Sequence, residues 1–385
     1  MPEEASRSLE MTPEEFIAAV EAGRDMQVLD VRAPQRLESG RIDIVPDTRF
    51  LNVRGSEVLA HEDLRETGLE PAIPLVVVCG LGNDSRRIAK HFQENGYEAA
   101  SITGGMVAWM RTTRRRELEA PPGFDRLIQF DRIGIGALGY VLISGGEALI
   151  VDAPRHTEDY MSAIGESGAK LVGTADTHAH ADYISGGPAL AATHDVPYYL
   201  HPADAVYPYD GTEGKVKFQA LRNGSTIRVG QTEIEVRHTP GHTEGSVTYR
   251  YGGHFALTGD FIFVDSVGRP DLGDKTEEWS EVLWNSLLDA KKSWPGDMVI
   301  YPAHYGSTDE RRVDSSVGAT FQALCRDNEP LGIADALSFK AWVMARTGKF
   351  PVVYRRIKAI NLGLETVDDE EAEELEAGKN ECALG

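Results

Sequence analysis

The order of apolar and polar positions divides the chain into two patterns. In "MTPEEFIAAVEAG" apolar residues recur at helical spacing behind Thr12 and Pro13, which predicts a helix capped by the threonine with proline in its first turn. "MQVLDVR" and "PLVVVCG" are short apolar runs that read as buried strands, and "RRIAKHFQENGY" is an amphipathic helix after the second of them. Strands alternating with helices predict a parallel sheet covered by helices. The alternation stops near Trp109, and "TTRRRELEAPPG", charged and proline-rich, reads as a linker. Beyond Phe124 the strands come in pairs: "LGYVLISGGEALIVDAP", "STIRVGQTEIEVRHT" and "SVTYRYGGHFALTGD" predict hairpins, with helices at "DYISGGPALAATH" and "TEEWSEVLWNSLLDAKKSW". Antiparallel sheets with intervening helices predict a layered sandwich. From Asp309 onward the pattern is mainly helical, and the acidic stretch "TVDDEEAEELEAG" reads as a solvated helix.

Length and charge narrow the picture. A chain of 385 residues, 41% hydrophobic, is long enough for two domains with real cores. A net charge of −22 argues against nucleic acid or an anionic membrane surface as partner. No apolar run reaches membrane-spanning length, and "MPEEASRSLE" lacks an apolar signal core. Cys79, Cys325 and Cys382 have no paired spacing, so a reducing cytoplasm is the expected compartment. "GIGALG" at 134–139 matches the dinucleotide glycine pattern, but a strand follows it where that pattern requires a helix.

Two groups of residues carry chemistry. The first is Cys79, at the end of "PLVVVCG" and ahead of the helix that begins in "GNDSRRIAKHF". Backbone N–H groups in such a loop, with the helix dipole behind them, stabilise an anion at the loop centre and favour a reactive thiolate. A buried structural cysteine is the alternative. Together with "LDVRAPQRLESGRI" and "GGMVAWM", the Cys79 loop resembles a rhodanese domain over residues 9–117. The resemblance implies that Cys79 carries sulfane sulfur as a persulfide and passes it to thiols. The family often has a basic residue where this chain has Asp84, and a carboxylate there disfavours anionic donors such as thiosulfate. A docking-only domain is the alternative reading.

The second group is built of histidines and aspartates. "THAHADY", "TPGH" and "YPAH" place His178, His180, Asp182, His242 and His304 at predicted strand ends, and "LTGD" adds Asp260. Such clustering points to a metal site. The set resembles the metallo-β-lactamase superfamily over residues 124–310, which implies an αβ/βα four-layer sandwich with metal at the sheet edge. Residues 118–123 would then be the linker, and 311–385 a helical extension packing on the second domain. In the dinuclear hydrolases of that family one site would draw on His178, His180 and His242. The other would draw on Asp182, residue 183 and His304, with Asp260 bridging. Residue 183 is Tyr, not His, and a neutral phenol is a poor substitute for a nitrogen ligand.

The missing nitrogen points to one ion, and two histidines with one carboxylate suit non-haem Fe(II). The chain resembles the persulfide dioxygenase branch, which oxidises the outer sulfur of a low-molecular-weight thiol persulfide, such as glutathione persulfide, to sulfite with O2. That resemblance implies Fe(II), one per chain, on His178, His242 and Asp260. His180 would lie behind the ligands or bind a zinc ion, and Asp182 and His304 would be left from the second site. "GDFIFVDSVGRPDLGD" brings Arg269, a candidate with Tyr183 for binding substrate or, alternatively, a hydrogen bonder that fixes its loop, and "YRRIKAINLGLE" and "LEAGKNECAL" resemble the tail of the same group. The expected partners are a thiol persulfide, O2, a sulfane sulfur donor and a second copy of the chain in a dimer or tetramer. Two alternatives stay open: a zinc-dependent thioester hydrolase of glyoxalase II type, and a sulfur-carrier or sensor protein without turnover at the metal.

Overall fold

The computed structural model describes residues 8–348, 351–378 and 381–384. The chain forms two compact units, one running to Arg114 with Arg132–Ile135 and a short stretch at Ala377, the other built mainly of Arg115–Asp131 and Gly136–Glu376.

Among the described residues, the first unit holds a five-stranded parallel sheet in the order Glu10–Met11, Ala99–Ile102, Leu75–Val78, Gln27–Asp30, Phe50–Asn52. The helix Pro13–Glu21 is capped as expected: the Thr12 hydroxyl accepts from the Glu15 N–H at 3.2 Å while the Glu15 carboxylate accepts from the Thr12 N–H at 2.9 Å. Leu75–Val78 is buried along its whole length, because helices cover both faces of a parallel sheet. The amphipathic helix Asn83–Glu94 lays Ile88, Ala89 and Phe92 against it.

Two sheets make the second unit. The first has seven strands, from Gln219–Ala220 at one edge through Tyr198–Leu200, Lys170–Ala175, Glu147–Val151, Ala137–Ser144 and Arg126–Arg132 to Thr113–Leu118. The second has six: Thr226–Val229, Thr232–His238, Val247–Tyr251, Phe255–Gly259, Val299–Pro302 and Ala319–Thr320. Leu142, Leu149, Val236, Tyr249 and Leu257 fill the space between them. Helices Glu158–Glu166 and Gly187–His194 pack on the outside of one sheet, and Thr276–Ser293, Phe321–Asp327 and Ala336–Arg346 outside the other. This is the four-layer αβ/βα sandwich expected from the sequence.

Three local expectations change. Within the charged segment read as linker, Thr113–Leu118 is an edge strand of the seven-stranded sheet, where a run of three arginines and one glutamate suits a strand with one wet margin. The helix expected in "DYISGGPALAATH" starts only at Gly187, since the preceding residues are held by the site described below. The acidic helix Asp369–Leu375 is not simply solvated: Ala372, Leu375 and the following Glu376 are buried. Glu376 accepts from the Ile184 N–H at 2.8 Å and pairs with Arg155, which also meets Glu373. "GIGALG" runs through a turn into the strand Ala137–Ser144, so no nucleotide-binding helix follows it. In "LEAGKNECAL", Lys379 and Asn380 lie outside the described residues.

Candidate metal centre and cysteine loop

In the second unit four strands end at one edge of the sandwich, and each hands over to a loop with ligand-type side chains. His178, His180 and Asp182 follow Lys170–Ala175, His242 follows Thr232–His238, Asp260 follows Phe255–Gly259 and His304 follows Val299–Pro302. Every one of these side chains is buried.

His178, His242 and Asp260 converge. The Nε2 atoms of His178 and His242 lie 3.6 and 3.4 Å from Oδ2 of Asp260, and none of these three buried atoms has a hydrogen-bond partner. Three orphaned polar atoms pointing at one place are costly unless something is bound there. The network behind them sets the tautomers. Thr177 donates its hydroxyl to Asp152 at 2.9 Å, so its oxygen accepts from the His178 Nδ1–H at 3.0 Å. The His242 Nδ1–H donates to the Arg269 carbonyl at 3.0 Å. Both imidazoles therefore turn an Nε2 lone pair toward Asp260, as metal-binding histidines require. Burial works to raise Asp260, but the facing His304 and His178 outweigh it and hold the carboxyl well below the usual carboxylate range. Burial lowers both His178 and His242, which keeps them neutral. Two neutral nitrogens and one carboxylate fit a divalent cation with open positions.

His304 bridges outward. Its Nδ1 is 2.6 Å from Asp260 Oδ1 and its Nε2 2.7 Å from Asp182 Oδ2. Burial opposes charge on this ring, yet Asp182 and Asp260 on its two sides push its pKa well above the ordinary value. Cys382 joins Asp182 and His304, with ligand-type atoms of all three within 4.8 Å of one another. Its thiol is pushed well up by burial first, then by Asp182 and Asp260.

His180 belongs to a separate group. Its Nε2 lies 3.1 Å from Asp152 Oδ1 and 2.9 Å from the Tyr183 hydroxyl, and with Asp152 and Asp176 it forms a buried cluster. Burial first, then Asp152, raises Asp176 to about 6, partly offset by His180. The two residues expected to bind substrate lie as follows. Tyr183 is buried and its hydroxyl is used on His180 and on the Asp152 carbonyl at 3.3 Å, so it faces the protein interior. The Arg269 guanidinium forks onto Asp271 at 2.7 and 2.8 Å and reaches the carbonyls of Glu381 and Gly348. It fixes its loop, and its own carbonyl orients His242.

Sequence reasoning missed Asp204, in the short turn Pro202–Ala205. Its carboxylate accepts from the Ala179 N–H at 2.8 Å, the Thr243 hydroxyl at 2.8 Å and the Gly245 N–H at 2.7 Å. One side chain thus ties the His178 loop to the His242 loop. It missed Cys382 as well, which arrives because residues 382–384 pair with Val267–Arg269. Glycine at 268 lets that segment lie against Asp260 and His242, since a Cβ there would overlap the Asp260 carbonyl oxygen. Neither contact has a motif; only the long-range fold creates them.

In the first unit Cys79 stands at the end of Leu75–Val78, ahead of the helix Asn83–Glu94. Its sulfur accepts from the Gly82 N–H at 3.1 Å and from the Ser85 hydroxyl at 3.2 Å. The Met106 N–H binds the Cys79 carbonyl, and Gly105, at φ +61°, leaves room for it where a Cβ would meet that oxygen. Asp84 lines a neighbouring groove with Arg54 and Arg87.

Two facing sheets flanked by helices, with ligand-bearing loops along one edge, define a metallo-β-lactamase sandwich; a parallel sheet with a cysteine turn into a helix defines a rhodanese-like unit. The chain carries a metallo-beta-lactamase superfamily domain, matched over residues 135–306, and a rhodanese-like domain, matched over residues 12–112. An uncharacterized protein of Aquifex aeolicus is 32% identical over 177 residues, covering 42% of this chain and 81% of that protein. The human mitochondrial persulfide dioxygenase ETHE1 is 31% identical over 166 residues, 41% of this chain; the match spans 59% of its length, about three fifths. Among solved structures, a metallo-beta-lactamase of Staphylococcus aureus superposes with a TM-score of 0.55 at 24% identity, covering 63% of this chain and 74% of that one. ETHE1 from Myxococcus xanthus gives 0.50 at 20% identity, covering 66% and 100%. No helix among the described residues is long and apolar enough to cross a membrane.

Proposed function

We propose that the second unit is a mononuclear non-haem iron dioxygenase of thiol persulfides, served by a sulfur-carrying Cys79 in the first. The observation that carries this reading is the trio of buried, unpartnered atoms on His178, His242 and Asp260, with Tyr183 turned away from the neighbouring position. Likeness to persulfide dioxygenases supports the choice of reaction. One thiol persulfide, one O2 and one water would give one thiol, one sulfite and two protons, with the outer sulfur oxidised and O2 reduced. Bound Fe(II) would supply one-electron activation of O2. The chain's own residues do the rest. His178 and His242 present neutral nitrogens, locked by Thr177 and the Arg269 carbonyl. Asp260 adds the one negative charge of the triad, and Asp204 holds the two histidine loops in register.

The test is oxygen uptake with glutathione persulfide by iron-loaded and zinc-loaded protein. Uptake that tracks iron, with about one iron per chain, supports the reading; no uptake with iron refutes it. A second reading, a zinc thioester hydrolase, is favoured by one observation: Asp182, His304 and Cys382 offer further donors beside the triad. It expects thioester cleavage that tracks zinc.

A further inference from the structure

The helix Val353–Asn361 carries Lys358, which is 2% exposed. Buried lysines almost always have a partner. Among the described residues, the Lys358 ammonium makes no hydrogen bond or ion pair. It lines a cavity of about 400 Å³ together with Ala179, Asp204, Tyr209, Thr243 and Trp279. Ala179 follows His178 and Thr243 follows His242, so this cavity opens along the two histidine loops. Asp210, Glu244 and Lys275 also line this cavity, the last two paired at 3.3 Å. Burial lowers the Lys358 pKa, and Asp204 first, then Cys382, Asp260 and Asp182, oppose that shift. None of these carboxylates pairs with it: Asp204 accepts three hydrogen bonds from the two histidine loops, Asp260 turns Oδ2 to His178 and His242 and Oδ1 to His304, and Asp182 lies against His304.

A bare ammonium in a cavity walled by the two histidine loops is unfavourable by desolvation, and a divalent cation held on the triad would add like-charge repulsion. One anion lying between the two relieves both. We propose that Lys358 is an anion subsite beside the metal triad, holding a small sulfur-centred anion: the terminal sulfur of the persulfide and then the sulfite formed from it. The identity of the anion rests on the dioxygenase reading; the subsite itself does not. Lys358 is thereby a specificity residue, selecting an anionic sulfur over a neutral thioester carbonyl.

Sulfite is the probe, titrated calorimetrically into the full chain loaded with redox-silent zinc. Wild-type protein should bind it, and Lys358→Met should weaken binding at least about tenfold, the loss expected for one charge-assisted hydrogen bond. Lys358→Arg should restore much of it. Should the methionine variant fail to fold, Lys358→Gln, which keeps a polar end without the charge, serves in its place with the same expectation. Unchanged sulfite affinity in a folded Lys358→Met or Lys358→Gln protein, or no binding by wild type at millimolar sulfite, overturns the subsite. Loss of sulfite binding in these variants, alongside absent oxygen uptake by iron-loaded wild type, would keep the subsite and discard the dioxygenase.

Discussion

Asp204→Asn is the substitution whose cost the structure defines best. The carboxylate takes two donors on Oδ2, the Ala179 N–H and the Thr243 hydroxyl, and one on Oδ1, the Gly245 N–H. Asparagine has nearly the same shape but one acceptor oxygen. If that oxygen keeps the two-donor position, the new NH2 faces the Gly245 N–H, and a buried donor is left unpaired. The unpaired donor costs about 1–3 kcal/mol, and the two surviving bonds weaken by about 1 kcal/mol each on losing the charge. The sum is about 3–5 kcal/mol. At about 2–4 °C per kcal/mol for a unit of this size, melting of the metal-binding unit should fall on the order of 10 °C. Because the same contacts hold His178 and His242 in place, affinity for the ion should drop about 10- to 100-fold. Scanning calorimetry of the metal-free protein and competition against a chromophoric chelator measure the two effects separately. A melting shift under about 2 °C with unchanged metal affinity would refute the argument that Asp204 couples the loops.

Asp260→Asn should strip iron and abolish oxygen uptake, while Asp182→Asn should be milder; full iron content and turnover in the first would break the triad assignment. Cys79→Ser should end sulfur transfer from thiosulfate to a thiol, if that activity exists, and leave oxygen uptake with added glutathione persulfide intact. Equal loss of both would place Cys79 in the oxidation step. Tyr183→Phe removes a buried hydroxyl that serves His180 and the Asp152 carbonyl, so stability should fall by about 1–2 kcal/mol in urea unfolding with metal content unchanged. A second ion bound by that variant would mean that the tyrosine itself closes the neighbouring site.

What the sequence made legible is what local patterning encodes. Thr12 and Pro13 announced their helix, the apolar runs before Cys79 and the histidine loops announced buried strands, and the ligand residues stood together in short motifs. For Arg269 the sequence left two roles open, because a loop-fixing arginine and a substrate-facing one look alike until Asp271 and the tail carbonyls are in place. The acidic run near residue 370 looked solvated because its partner, Arg155, lies far away in the chain. Asp204, Lys358 and Cys382 were invisible for the same reason: each acts only through residues brought close by the assembled sheets.

The metal centre is knit from the loop after residue 175, the turns at 202–205 and 239–246, the strand ends at 260 and 304, and the segment 381–384. Contacts of such sequence separation form late in folding, after the sheets have paired. The cup must therefore be built before an ion can find it, unlike a zinc finger, where the ion drives the fold. The ion is then a passenger rather than a scaffold. A preformed cup of two imidazoles and a carboxylate would take divalent cations by intrinsic affinity and supply together, so the metal recovered with the protein should vary with the growth medium.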